Sequence, residues 1–137
     1  MANTKPIGVA YTDQDIVGAQ YVLSDEYLGY TAAAQGSVTQ DTSKSTAVTL
    51  NKSAGTVTMN GAQLNATTSV NFTLNNSYLS ANDAIILSIV SGTATPGSYT
   101  LWVTGISAGA ATITLRNITA GNLSESVVFN FVIVHAA

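Results

Sequence analysis

Few side chains in this sequence are of a type that does chemistry. There is one histidine, His135, close to the C-terminal end, and no cysteine at all. A serine nucleophile needs a base that a third group holds in place, and the end of a chain is a poor position to fix one. Zinc would have to depend on carboxylates, an uncommon donor set when thiolates are missing and imidazoles number one. His135 is therefore expected at a surface or an interface, and neither a metal nor another cofactor is expected.

The carboxylates are the remaining candidates. Asp13 and Asp15 flank Gln14, and Asp25 adjoins Glu26. A glycosidase places two carboxylates across a scissile bond and raises the pKa of one by burial. These four acids fall in the least regular part of the sequence, where desolvation is hard to arrange. Asp13-Gln14-Asp15 has the start of a calcium loop but lacks the glycine and distal glutamate of an EF-hand. Solvated or partner-facing acids are the expectation, and no catalysis. Trp102 either belongs to a second core face or anchors a contact. A carbohydrate platform wants several exposed aromatics in a row, and Trp102 is the single candidate.

Composition narrows the partners. Charged residues are 8% of the 137, so the polar surface must be built from Ser, Thr, Asn and Gln. The formal net charge is −3, and Lys5, Lys44, Lys52 and Arg116 are scattered. Neutralising phosphates takes clustered Lys and Arg, so no nucleic acid is expected. No apolar run approaches the length of a membrane-spanning helix and no basic amphipathic stretch occurs, so no membrane is expected. The opening residues show no apolar signal-peptide core, and the lack of cysteine is compatible with synthesis in a reducing cytoplasm.

The elements that would position these groups divide the chain in two. Residues 1–35 read as an N-terminal arm. They hold four of the seven acids and four of the six tyrosines, Tyr11, Tyr21, Tyr27 and Tyr30, with no sustained hydrophobic period. Extended, an arm of that length reaches at most about 115 Å. Tyrosine gives a large contact area at little rotamer entropy and is enriched at interfaces. Two readings stand: a docking segment ordered by a partner, or tyrosines covering their own domain.

Residues 36–137 alternate in the manner of strands, with turn signals every 8–12 residues, which predicts an all-β antiparallel sandwich of jelly-roll or Ig-like type. Candidate strands cover 37–40, 46–51, 56–60, 69–75, 84–90, 98–104, 110–116 and 126–134. A four-residue loop suggests that 46–51 and 56–60 form a hairpin. Residues 78–81 read as a single helical turn. The last strand carries Val127, Phe129, Phe131 and Ile133 on one side, and Val128, Val132 and Val134 with Asn130 on the other. Apolar character on both faces predicts a central strand covered on both sides, and 84–90 is expected to be internal for the same reason.

From Gly36 to His135 the chain resembles a small β-sandwich domain of tailed-phage proteins, cyanophages among them. The resemblance rests on Ser43-Lys-Ser-Thr-Ala-Val-Thr-Leu-Asn-Lys52, Gly55-Thr-Val-Thr-Met-Asn60, Phe72-Thr-Leu-Asn-Asn-Ser77, Ala81-Asn-Asp83, Ile113-Thr-Leu-Arg-Asn117 and Leu123-Ser-Glu125, closed by the 127–134 strand. The opening Lys5-Pro-Ile-Gly-Val-Ala-Tyr-Thr-Asp-Gln-Asp15 is similar to leader sequences of phage virion proteins. The resemblance implies a structural virion protein and no enzyme. Among such proteins, one small domain with an arm and no repetitive shaft suits a capsid decoration (cement) protein. Its expected partners are the major capsid protein and itself as a homotrimer, on the virion surface after synthesis in the host cytoplasm. The implied contact residues are Tyr11, Asp13, Asp15, Tyr21, Tyr27 and Tyr30 of the arm, with Trp102 and His135 as possible interface residues. A tail-fibre or receptor-binding module and a carbohydrate-binding domain are the alternatives.

Overall fold

The computed structural model describes residues 28–136. A short 3-10 turn, Ala32–Ala34, precedes eight strands: β1 (Gln35–Thr39), β2 (Val48–Thr49), β3 (Ala54–Thr58), β4 (Ser69–Asn75), β5 (Ala84–Ser91), β6 (Tyr99–Ser107), β7 (Ala110–Asn117) and β8 (Val128–Val134). They form two four-stranded sheets, in the orders β1-β3-β8-β5 and β2-β4-β7-β6. The expected β-sandwich is present. Its sheets are mixed, because β1 runs parallel to β3 and β2 parallel to β4, while the other pairs are antiparallel.

Alternation decides which side chains meet between the sheets. Val57 of β3 and Phe129, Phe131 and Ile133 of β8 face Phe72 and Leu74 of β4 and Ala111, Ile113 and Leu115 of β7, all buried. The Phe72 and Phe129 rings meet across the layer at 6.0 Å between centroids, tilted by 50°. Each large side chain buried this way is worth about 1.5–3 kcal/mol, so this layer supplies most of the driving force. Close packing leaves no room at Gly55: an added Cβ would lie 2.7 Å from the Gly36 carbonyl oxygen and 2.7 Å from Leu50 Cδ2.

Three expectations need correction. Residues 46–51 and 56–60 are not a hairpin, since β2 and β3 belong to different sheets and the chain between them crosses from one to the other. Buried Asn76 secures that crossing by donating its side-chain amide to the Lys52 carbonyl at 2.7 Å. Residues 78–81 form hydrogen-bonded turns and no helix. The third concerns β8 and β5. β8 is central in its sheet, but only one of its faces is covered, and β5 is an edge strand. Their outward Val132, Val134, Ile86 and Val90 stay 37%, 49%, 60% and 50% exposed. A sandwich has two layers, so each sheet covers one face of the other, and among the described residues only the root of the arm lies against the second.

Asparagine, abundant in the sequence, has structural duties here. Asn117 is fully buried; its amide donates to the carbonyls of Leu64, Asn65 and Gly121, and its oxygen accepts from Thr119. That arrangement satisfies a buried polar group completely and pins two loops together.

Candidate interaction surface

The two outer faces of the sandwich differ in chemistry. On the β2-β4-β7-β6 sheet, outward positions are polar: Thr114 donates to Asn71 Oδ1 at 2.9 Å and lies 3.1 Å from the Thr104 hydroxyl. Trp102 projects from β6 opposite Thr114 on this face, 39% exposed. It thus belongs to neither core face and stands as the aromatic of a hydroxyl- and amide-bearing surface.

The outer face of the β1-β3-β8-β5 sheet is apolar at its centre. Ile86 and Val132 are directly opposed, as are Ala84 and Val134, with Ser88 opposite Asn130. Thr56 donates to Asn130 at 2.8 Å, so even the polar residues here are partly paired with each other. Neither β5 nor β8 contains a charged residue. A contiguous apolar area bordered by uncharged polar groups is the usual form of a protein contact surface.

The described part of the arm arrives at this same face. Tyr30 donates its hydroxyl to the Ile133 carbonyl at 2.6 Å, and the Tyr30 carbonyl accepts from the Gln35 side chain at 3.1 Å. Between this root and the sheet lies a cavity of about 340 Å³, lined by Leu28, Tyr30, Gly36, Thr56, Asn130 and Val132 among others. Leu28 is 85% exposed at its rim. Tyr30 is therefore bound to its own sandwich. Tyr11, Asp13, Asp15, Tyr21 and Tyr27 lie outside the described residues.

His135 follows β8 and sets its Nδ1 2.9 Å from Asp83 Oδ2, with its side chain 47% exposed. Asp83 is enclosed and also accepts from the Ser80 N–H and hydroxyl and the Ala136 N–H. The Ser80 backbone N–H above all, and then the Ser80 hydroxyl, the Ala136 N–H and His135, hold its carboxyl well below the usual range. The serine hydroxyl bonds the carboxylate and not the imidazole, so the three groups form a clasp on the chain end and no nucleophile relay.

A second polar cluster is internal. Lys44, 3% exposed, donates its ammonium to the carbonyls of Asn60 and Glu125. Burial lowers its pKa, against the attraction of the Glu125 carboxylate. The Glu125 carboxylate accepts from the Ala94 N–H. Nearby, burial first and Glu125 second push the Tyr99 phenol up to about 12. Lys44 and Glu125 tie loops to each other and line neither the cavity at the root of the arm nor the groove at residues 91–97. The groove at residues 91–97, about 330 Å³, is lined by Ile89, Pro96, Tyr99 and hydroxyl residues, with neither an exposed aromatic nor a carboxylate.

Among the described residues no group of three or more His, Asp or Glu is placed to hold a metal ion. No helix among them is long and apolar enough to cross a membrane. Comparison with protein families, curated proteins and solved structures finds no match to this chain.

Proposed function

We propose that the chain is a structural virion protein that binds the outside of an assembled phage capsid and stabilises it. The observation that carries the reading is the uncharged apolar outer face of β8 and β5, onto which the root of the arm opens. Such a face suits a protein lattice and neither a small substrate nor a polyanion. The resemblance of residues 36–135 to tailed-phage sandwich domains supplies the setting. Working as cement, the protein binds the finished lattice in preference to loose subunits and stabilises it by mass action. The major capsid protein is its partner, and a homotrimer at local three-fold positions matches the symmetry of the site. The role is non-enzymatic.

The test is co-sedimentation of purified protein with phage heads that lack it. Saturable binding to heads, with none to unassembled capsid subunits, is the expected result. Equal binding to both, or to neither, would overturn the reading.

Trp102 favours a second reading, a receptor- or carbohydrate-binding module of the virion. It stands exposed on a face of threonine and asparagine side chains, groups suited to sugar hydroxyls. Specific signals on a glycan array that vanish in Trp102→Ala would establish it.

A further inference from the structure

β5 ends its sheet, and among the described residues nothing pairs with its outer edge. Natural edge strands are guarded by Lys, Pro, a bulge or a covering segment. β5, Ala-Ile-Ile-Leu-Ser-Ile-Val-Ser, has no Lys and no Pro, and its register shift falls late, between Ile89 and Ser91. That leaves every second residue of 84–89 with its backbone donor and acceptor turned to the outer edge, unpaired among the described residues. Beside this edge stand exposed Ile86 and Val90. An extended segment docked here would satisfy its backbone and cover apolar surface together, the physics of strand addition.

The sequence upstream of the described chain contains two uncharged stretches of matching chemistry, residues 7–12 and 16–23, and the second lies nearer the root of the arm. Residues 16–23, Ile-Val-Gly-Ala-Gln-Tyr-Val-Leu, are uncharged, and 18–23 alternate Ala19, Tyr21 and Leu23 with Gln20 and Val22. The stretch is followed by Ser24-Asp25-Glu26-Tyr27 and then by Leu28, which stands at the rim of the cavity on this same sheet. To reach β5 of its own sandwich, the segment would draw Asp25 and Glu26 across Val132 and Ile86, setting two carboxylates on apolar surface. To reach β5 of an adjacent sandwich, the acidic spacer remains in solvent.

We propose that residues 18–23 of one copy add as a fifth strand to the free edge of β5 in a neighbouring copy. Tyr21 and Leu23 extend the apolar stripe of Ile86 and Val90, and successive copies are linked arm to sheet. This inference rests on the proposed role of the open β8–β5 face in binding neighbouring protein and names an occupant for the edge beside it.

The chain has no cysteine, so introduced pairs report without background. Ser88→Cys, at an exposed position, is combined in the full chain with Gln20→Cys, Tyr21→Cys or Val22→Cys, oxidised, and run without reductant. Covalent oligomers that require both cysteines in at least one combination are expected. An intrachain link would overturn the proposal, and so would no link in any combination. Oligomers from Ser88→Cys alone would also overturn it, by showing two β5 edges paired directly. Light scattering on the parent chain is expected to give more than one copy, and Ile86→Lys, exposed and so harmless to folding, a single copy; a monomeric parent overturns the proposal. A monomer that still decorates heads would defeat this inference and leave the proposed role standing.

Discussion

Tyr99 gives the sharpest test of how the loop end of the sandwich is held. Its side chain is 6% exposed, and its hydroxyl and Glu125 Oε2 are both buried without a well-formed hydrogen bond. Burial and the neighbouring carboxylate both disfavour phenolate, raising the pKa from 10.0 to about 12. A group whose folded pKa is raised contributes stability that is fully present below its unfolded pKa. That contribution disappears as the pH climbs through the folded value. At about 1.4 kcal/mol per pH unit, the loss from Tyr99 between pH 10 and pH 12 has a ceiling of about 3 kcal/mol. Urea unfolding of the parent and Tyr99→Phe from pH 9 to pH 12 measures it. The other tyrosines and Lys44 act equally in both proteins and drop out of the difference. The phenylalanine variant should gain on the parent by about 2–3 kcal/mol across that range. Parallel pH curves would refute the account of a buried phenol held against Glu125.

Other positions carry their own expectations. Phe131→Asp should leave the domain unfolded by circular dichroism, because an unpaired charge in this layer costs several kcal/mol out of about 5–15 in total. Gly55→Ala should destabilise by about 1–3 kcal/mol in urea unfolding, since the Gly36 carbonyl cannot move aside as a flexible side chain would. Asp83→Asn should flatten the acid limb of the stability curve. The depressed carboxyl contributes stability above its ordinary value of 3.8 that is lost as the pH falls towards the folded value. Acid titrations of parent and variant that coincide below pH 4 would contradict the clasp at the chain end.

The strands were legible because one alternating face of each is apolar: residues 69–75 were delimited to the residue, and β5, β6 and β7 to within three. Pairing was less legible. A four-residue gap between two short apolar runs reads as a hairpin, and nothing local in 50–53 signals that the chain changes sheets there. The signal was Gly55, whose missing side chain admits Gly36 of β1 and Leu50. The outer faces of β8 and β5 were misjudged for an instructive reason. Val132, Val134, Ile86 and Val90 have the composition of a buried face, and the described residues leave them exposed, with Val128 half-buried. Valine and isoleucine on a face that the other described residues leave exposed are what the proposed contact would use. The Asp83–His135 pair was illegible, since 52 residues separate its members and only the β5–β8 register unites them.

The central claim is that this open face belongs against an assembled protein shell. Electron cryomicroscopy of phage particles to which the purified chain has been added tests it most directly. The account predicts sandwich-sized density on the outside of the head, with the β8–β5 sheet turned towards neighbouring protein. Density confined to the tail, or on the head with that sheet facing solvent, would contradict it.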